Sequence, residues 1–290
     1  MIYIHAIGIH NTTPDNKIPD LKSELKALSG KVYRRTDHFI QLAIIGAHKA
    51  VGESEMGFQT ALYMTSGQGD IMVFDRVRRQ RYFEEMLSKP IDFVNLSSNT
   101  AAFYVADHLG LNGRNLFLAH HHFPVQMTML LAQNDINSSK ERSILVGGVD
   151  ESIPKPELAR KLLGVDAEIT LGEGSNWLLL DGEANGAIAS FAVEPKSLNK
   201  KELKRFLLSL ETGTFLAFSS RFSDDEAGKI LADNKGCKRY RYEASCAYYE
   251  TLPLYVLGSF MSREYGRLIH VDLYQERYMV MSVENLIRAG

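Results

Sequence analysis

Cysteine is nearly absent from this sequence: Cys237 and Cys246 are its two thiols in 290 residues. Neither has the spaced partners of a zinc site or a disulfide framework, so both are expected to be reduced structural thiols. An excess of one charge is lacking too. Lys and Arg number 33 against 35 Asp and Glu, a formal net charge of -2, which leaves no global basic field for nucleic acid. No apolar run reaches the roughly 20 residues that a membrane-spanning helix requires. The first residues, Met1-Ile2-Tyr3-Ile4-His5-Ala6-Ile7-Gly8, enter an alternating strand without the basic segment of a signal peptide. These absences predict a cytoplasmic protein with no membrane span. What is present is ordinary globular material, 45% hydrophobic and 23% charged, enough for one large or two ordinary domains.

Strands and helices alternate along most of the chain. A strand is expected over 2–9, and a helix capped by Thr36 or Asp37 carries Phe39, Leu42, Ala43 and Ile45 up to Gly52. A second apolar strand over 60–66 closes on Gly67-Gln68-Gly69, which reads as a turn because the lysine of a P-loop is missing. A charged helix over 74–89 is expected to stop at Pro90, and Ser97 or Ser98 to cap a helix ended by Gly110. After a short helix near 155–164, the segments 173–180 and 187–193 look like paired strands. Helices over 200–210, 224–232 and 250–263 and strands over 214–218, 268–273 and 278–283 complete the chain. The similar element order suggests two pseudo-duplicated halves, 1–168 and 169–290, although no sequence repeat is visible.

One stretch carries most of the chemical information. Asn115-Leu116-Phe117-Leu118-Ala119-His120-His121-His122-Phe123-Pro124 reads as a strand running into a helix. That helix, with Val125, Met127, Met129, Leu130, Leu131 and Ala132, has little polar face, so it is predicted to lie buried between two sheets. Pro124 suits its first turn, where no N–H is needed. A strand-to-helix elbow is a natural place for a nucleophile, because free N–H groups and the helix dipole stabilise negative charge there. The elbow here carries His122. The next strand, 143–149, ends in Gly147-Gly148-Val149-Asp150-Glu151.

Several segments in order resemble the β-ketoacyl synthase family. Tyr33-Arg34-Arg35-Thr36-Asp37-His38-Phe39 is similar to its early arginine–aspartate–phenylalanine helix. Pro90 through Gly113, including Asn99 and Leu109-Gly110-Leu111-Asn112-Gly113, is similar to the approach to its nucleophile strand, and Gly147-Gly148-Val149-Asp150-Glu151 and Gly172-Glu173-Gly174 match two further signatures. The resemblance covers roughly 30–185 well and the remainder weakly. It implies a thiolase-like five-layer α/β/α/β/α fold whose C-terminal half is shortened. It also puts His122 on the position of the family's cysteine. The family's two histidines should fall near 218–226 and 247–253, and neither segment contains one. A chain without these groups resembles a chain-length factor, the inactive homologue paired with an active ketosynthase, and in its shortness the partner subunits of aryl polyene ketosynthases.

By that resemblance the chain is a non-catalytic subunit of a heterodimer. It would shape the acyl tunnel while its partner condenses chains held on an acyl carrier protein. No cofactor is implied. The strand Asn115 to Ala119 would join the subunits across the two-fold axis, and His120, His122, Phe123 and Asn99 would border the tunnel or the interface. Two other readings are carried with it: a stand-alone acyltransferase or thioester hydrolase using His122 as base, and a homodimeric scaffold. The histidine triplet invites a metal site, but in an extended strand His120 and His122 share a face while His121 points away, so no metal is assigned. Arg76, Arg78 and Arg79 form a basic run that reads as a solvated face, with docking of a carrier protein as the functional alternative.

Overall fold

A computed structural model describes residues 2–13, 20–30, 32–52, 56–97, 99–153 and 156–286. Ser98, one of the two residues expected to cap the helix that ends at Gly110, lies outside them.

Among these residues ten strands form one continuous hydrogen-bonded ladder. In chain order they are β1 (Ile2–Asn11), β2 (Ala61–Thr65), β3 (Asn115–Leu118), β4 (Ser143–Asp150), β5 (Gly174–Asp181), β6 (Ala189–Val193), β7 (Phe215–Phe218), β8 (Lys238–Arg239), β9 (Arg267–Tyr274) and β10 (Arg277–Asn285). Their spatial order is β3-β2-β4-β5-β1-β6-β10-β9-β7-β8. The first five strands read outward-in as parallel, parallel, antiparallel, antiparallel, and so do the last five, taken as β8-β7-β9-β10-β6. This is a duplication in topology, with the halves joined where β1 meets β6 in antiparallel register.

Two expectations change here. Residues 173–180 and 187–193 looked like partners, yet β1 lies between β5 and β6 and pairs with both. Local pattern cannot show that a strand from the chain's start inserts there. The strand β5, which falls in the C-terminal part of a division at 168, pairs with β4 and β1. The topological repeat therefore passes from one half to the other between β5 and β6.

Among the described residues ten helices clothe this ladder: α1 (Leu21–Ser29), α2 (His38–Val51), α3 (Ile71–Tyr82), α4 (Pro90–Asn95), α5 (Asn99–Leu109), α6 (Pro124–Asn137), α7 (Pro156–Leu163), α8 (Lys200–Leu208), α9 (Asp224–Asp233) and α10 (Leu252–Arg263). Three apolar clusters define the layers. One holds α2 and α5 against one face of the first half; a second holds α8 and α9 against the outer face of the second half. The third contains α6 and α10 with the inner strand faces of both halves. The result is α/β/α/β/α. The expected sandwiched helix, α6, lies in the middle, and α10 is its counterpart, buried without interruption from Leu252 to Phe260. A helix can be apolar all round only where protein covers every side, which the middle layer provides. The second half is shorter because a two-residue turn at Gln275 and Glu276 replaces the α7 connection, and α9 alone stands where α3 to α5 stand in the first.

The segment expected as one helix over 74–89 is shifted. Asp70 caps its start, its carboxylate accepting from Val73 N at 3.1 Å, so α3 begins at Ile71 and ends at Tyr82. Glu85 then takes φ 52°, and Pro90 opens α4 at its first turn instead of closing a helix. Gly147 is required by close packing. A Cβ there would stand 2.3 Å from the ring of Trp177, its partner across β4 and β5.

Candidate functional site

The elbow is built as the sequence implies, with one difference. Strand β3 ends at Leu118, so His120, His121 and His122 lie in a bend, not an extended strand. The His121 and His122 rings come within 4.6 Å, and His120 and His122 within 6.3 Å. His120 Nδ1 accepts from the backbone N–H of His122 (3.4 Å) and Phe123 (3.3 Å), closing the turn onto α6. Burial, with His122 and His121 close by, holds its pKa below the ordinary histidine value. Among the described residues no three His, Cys, Asp or Glu side chains converge as metal ligands.

His122 lies flat on Tyr274 of β9, centroids 3.9 Å apart and planes within 20°. Its Nδ1 is buried and has no hydrogen-bond partner among the described residues. Phe123, 6% exposed, packs edge-on to the same tyrosine. The Arg221 guanidinium carbon also sits over the Tyr274 ring, 5.5 Å from its centroid.

Arg221 is the centre of a closed ion cluster. It follows β7, in the segment where the resemblance expects a histidine. Its Nη2 donates to both Glu250 oxygens at 2.6 Å, its Nη1 reaches Asp272 Oδ1 at 3.5 Å, and its Nε donates to Leu163 O at 2.9 Å. Gln126 of α6 donates to the other Asp272 oxygen at 2.9 Å, and Tyr248 OH donates to Glu250 at 3.3 Å. The Arg221, Glu250 and Asp272 side chains are only 7%, 7% and 5% exposed. Burial raises the Glu250 carboxyl to about 7 even with Arg221 against it, and lowers His270 to about 4. Tyr248 and Tyr249, fully buried, are pushed well above the ordinary tyrosine value.

The cluster occupies the space between the halves. Ser219, Tyr248, Glu250, His270 and Asp272 leave about 10 Å³ among them, room for at most one water. A second buried carboxylate, Asp150 at the end of β4, fixes the neighbouring corner. It accepts from Ser66 Oγ (2.7 Å), Gly67 N (2.8 Å) and Thr251 N (2.7 Å), tying the turn after β2 to the start of α10. Gly67 has to be glycine, because a Cβ would meet the Glu250 side chain at 2.4 Å. That turn is thus a tertiary joint.

The remaining expected residues are placed as follows. Asn115, Leu116, Phe117 and Leu118 form the edge strand of the ladder, half-exposed along its length, and Ala119 just beyond is exposed. Asn99 starts α5 and is exposed. Arg76 pairs with Asp37 (3.1 Å) and Asp92 (2.7 Å), Arg78 pairs with Asp75 (2.8 Å), and Arg79 is exposed. Asp37 spends its carboxylate on Arg76 and Asn95, which is why it makes no side-chain cap to α2. Cys246 is buried and Cys237 half-buried, both free thiols, and burial raises Cys246 to about 12. Sequence reading did not find Arg221, Asp272, Gln126 or Tyr274. The available signal was an acid in the apolar run that follows Arg267, Asp272 within Arg267–Tyr274, but its partners Gln126 and Arg221 lie far away in the chain.

No protein-family model matches the sequence, and no curated protein does. Solved structures match along the whole chain. One described as the ishigamide ketosynthase/chain length factor aligns over 99% of this chain and 99% of its own, at 13% identity and a TM-score of 0.76. The acyl-carrier protein complex with ketosynthase AntDE:AntF aligns over 98% and 99%, at 12% and 0.66. The ketosynthase ApeO in complex with its chain length factor ApeC, from Xenorhabdus doucetiae, aligns over 97% and 99%, at 13% and 0.55. At this identity the likeness is one of fold: the chain has the thiolase-like architecture of ketosynthases and chain length factors.

Proposed function

We propose that this chain is a non-catalytic, chain-length-factor-like subunit that pairs with an active β-ketoacyl synthase in aryl polyene or related polyketide synthesis. The observation that carries the reading is the ion cluster. Where the resemblance expects two histidines, Arg221 is locked to Glu250 and Asp272, Tyr248 and Gln126 bond those carboxylates in turn, and the space among Tyr248, Glu250, His270 and Asp272 is about 10 Å³. Condensation needs an activated nucleophile and groups to polarise the thioester. An arginine bound to two carboxylates is already neutralised and cannot do either.

The surface supports a partner. The β3 edge offers unpaired backbone groups, which isolated proteins ordinarily protect. The helices that lead into β3 expose Phe74, Tyr82, Phe83, Leu87, Phe93 and Phe103, each more than half accessible. Concentrated apolar exposure of this kind marks an interaction surface. Co-expression with a candidate ketosynthase, followed by size exclusion with mass detection, tests the reading. A one-to-one complex, with a lone chain that aggregates and condenses nothing, is the expected result. Condensing activity in the isolated chain would overturn it, as would a well-behaved chain indifferent to the ketosynthase.

A further inference from the structure

The two halves differ in how their outer helices pack. In the first half α2, which joins β1 to β2, and α5, which leads to β3, press directly against each other within one apolar cluster. Their counterparts in the second half, α8 and α9, stand apart. Between them lies a groove of about 210 Å³ with an apolar floor of Leu203 and Leu207 from α8, Ile230 from α9, Phe222 just before α9 and Tyr278 from β10. One ion pair, Lys204 Nζ to Asp233 Oδ2 at 2.9 Å, straps the two helices together. An α-helical turn about 10 Å wide and about 5.4 Å long fills roughly 400 Å³, so a helix could not sink into this groove, whereas an extended alkyl chain can. The rim is charged unevenly, with Lys200, Lys204 and Lys229 against Glu226 and Asp233. Asp233 is taken by Lys204, Lys229 pairs with Asp225, and Glu226 is held in a capping box by the N–H and hydroxyl of Ser223. Lys200 is exposed and makes no ion pair among the described residues. It occupies the first turn of α8, where positive charge opposes the helix dipole, so helix stability does not account for it.

We propose that this groove binds the alkyl chain of a medium-chain carboxylate such as octanoate, with the head group on Lys200. The floor supplies the apolar contact, and the one uncommitted cation of the rim supplies the polar one. Three cations against two acids leave the rim net positive, so an anionic head is favoured and a cationic head of the same length is opposed. Bound there, the chain would fill the gap that α2 and α5 close by direct contact, and would tie α8 to α9. The groove belongs to the outer face of the second half, whereas the elbow residue Phe123 packs in the middle layer. The proposal therefore stands apart from the subunit reading and does not need a ketosynthase.

The test is calorimetric titration of octanoate, below its critical micelle concentration, onto the chain in its soluble form, alone or with the ketosynthase. A diazirine-bearing octanoate, mapped by mass spectrometry, locates the site on this chain. Label is expected on the peptides of α8 and α9, competed by unlabelled octanoate, and octanoate should raise the melting temperature. Ile230→Trp, which fills the groove, should abolish that label while circular dichroism shows it folded. Lys200→Glu suits the helix dipole and keeps the fold, and it should weaken octanoate by about fivefold, the scale of an exposed ion pair, while leaving octyl alcohol unchanged. Label confined to other parts of the chain overturns the proposal, as does unaltered label in folded Ile230→Trp. Equal octanoate affinity in Lys200→Glu also overturns it, and that variant decides the matter if Ile230→Trp does not fold.

Discussion

Replacing Arg221 with methionine tests how much the buried ion cluster contributes to stability. Methionine keeps most of the side-chain length, so the change removes charge more than volume. It strands Glu250 and Asp272, which are 7% and 5% exposed, leaving Asp272 its bonds from Gln126 and from the Leu273 N–H and no cation. Breaking a buried ion pair on one side costs about 3–5 kcal/mol. The sign with pH follows from Glu250, which burial raises to about 7 even with Arg221 in place. A carboxyl raised above its unfolded value takes up a proton on folding, so stability falls as pH climbs from the unfolded value to the folded one. In the native chain that fall ends near pH 7. Without Arg221 the folded value moves higher and the fall continues, adding up to about 2 kcal/mol between pH 7 and 8.5 at about 1.4 kcal/mol per unit. Urea unfolding at pH 6 and pH 8.5, followed through the fluorescence of the buried Trp177, reads both terms. Adding Glu250→Gln should recover part of the loss at the higher pH. A loss below about 1 kcal/mol at pH 8.5, or one equal at both pH values, would refute the reasoning.

Three other outcomes are expected. Asp70 and Glu151 meet at the start of α3, where Glu151 accepts from Met72 N at 2.8 Å; burial, then the neighbouring Asp70, pushes Glu151 up to about 9, so Glu151→Gln should raise stability at pH 8 by about 1–3 kcal/mol and much less at pH 5, measured by urea unfolding. Gly147→Ala should destabilise severely, by about 3 kcal/mol or more, since its Cβ would overlap the Trp177 ring, and little folded protein should survive in circular dichroism melts. Phe83→Asp with Leu87→Asp should leave the melting temperature of the lone chain unchanged, because the two side chains are 71% and 84% exposed, while weakening ketosynthase binding in size exclusion.

Much of this protein was legible in order along the chain. The apolar stretch after Pro124 could be recognised as a buried helix because its composition leaves no wet face. The Gly147-Gly148 pair was read as a family signature, and the resemblance expected histidines near 218–226 and 247–253, where the sequence has none. Local pattern misjudged 74–89, because Asp70 capping and Pro90 as a first-turn residue were the deciding signals and both lay outside the charged core of that segment.

The sequence by itself determined most of the elements and the burial of the helix after Pro124, since these follow from periodicity, capping and residue identity. Tertiary structure decided which distant side chains meet. Arg221, Glu250 and Asp272 come from the segment after β7, the approach to α10 and β9, which folding of the second half brings to one point, and packing of the first half adds Gln126 of α6. It also decided that β1 separates β5 from β6, and that Arg76 is consumed by two aspartates. Pairing of charges across long sequence separations depends on three-dimensional distance and burial, neither of which is written in local spacing.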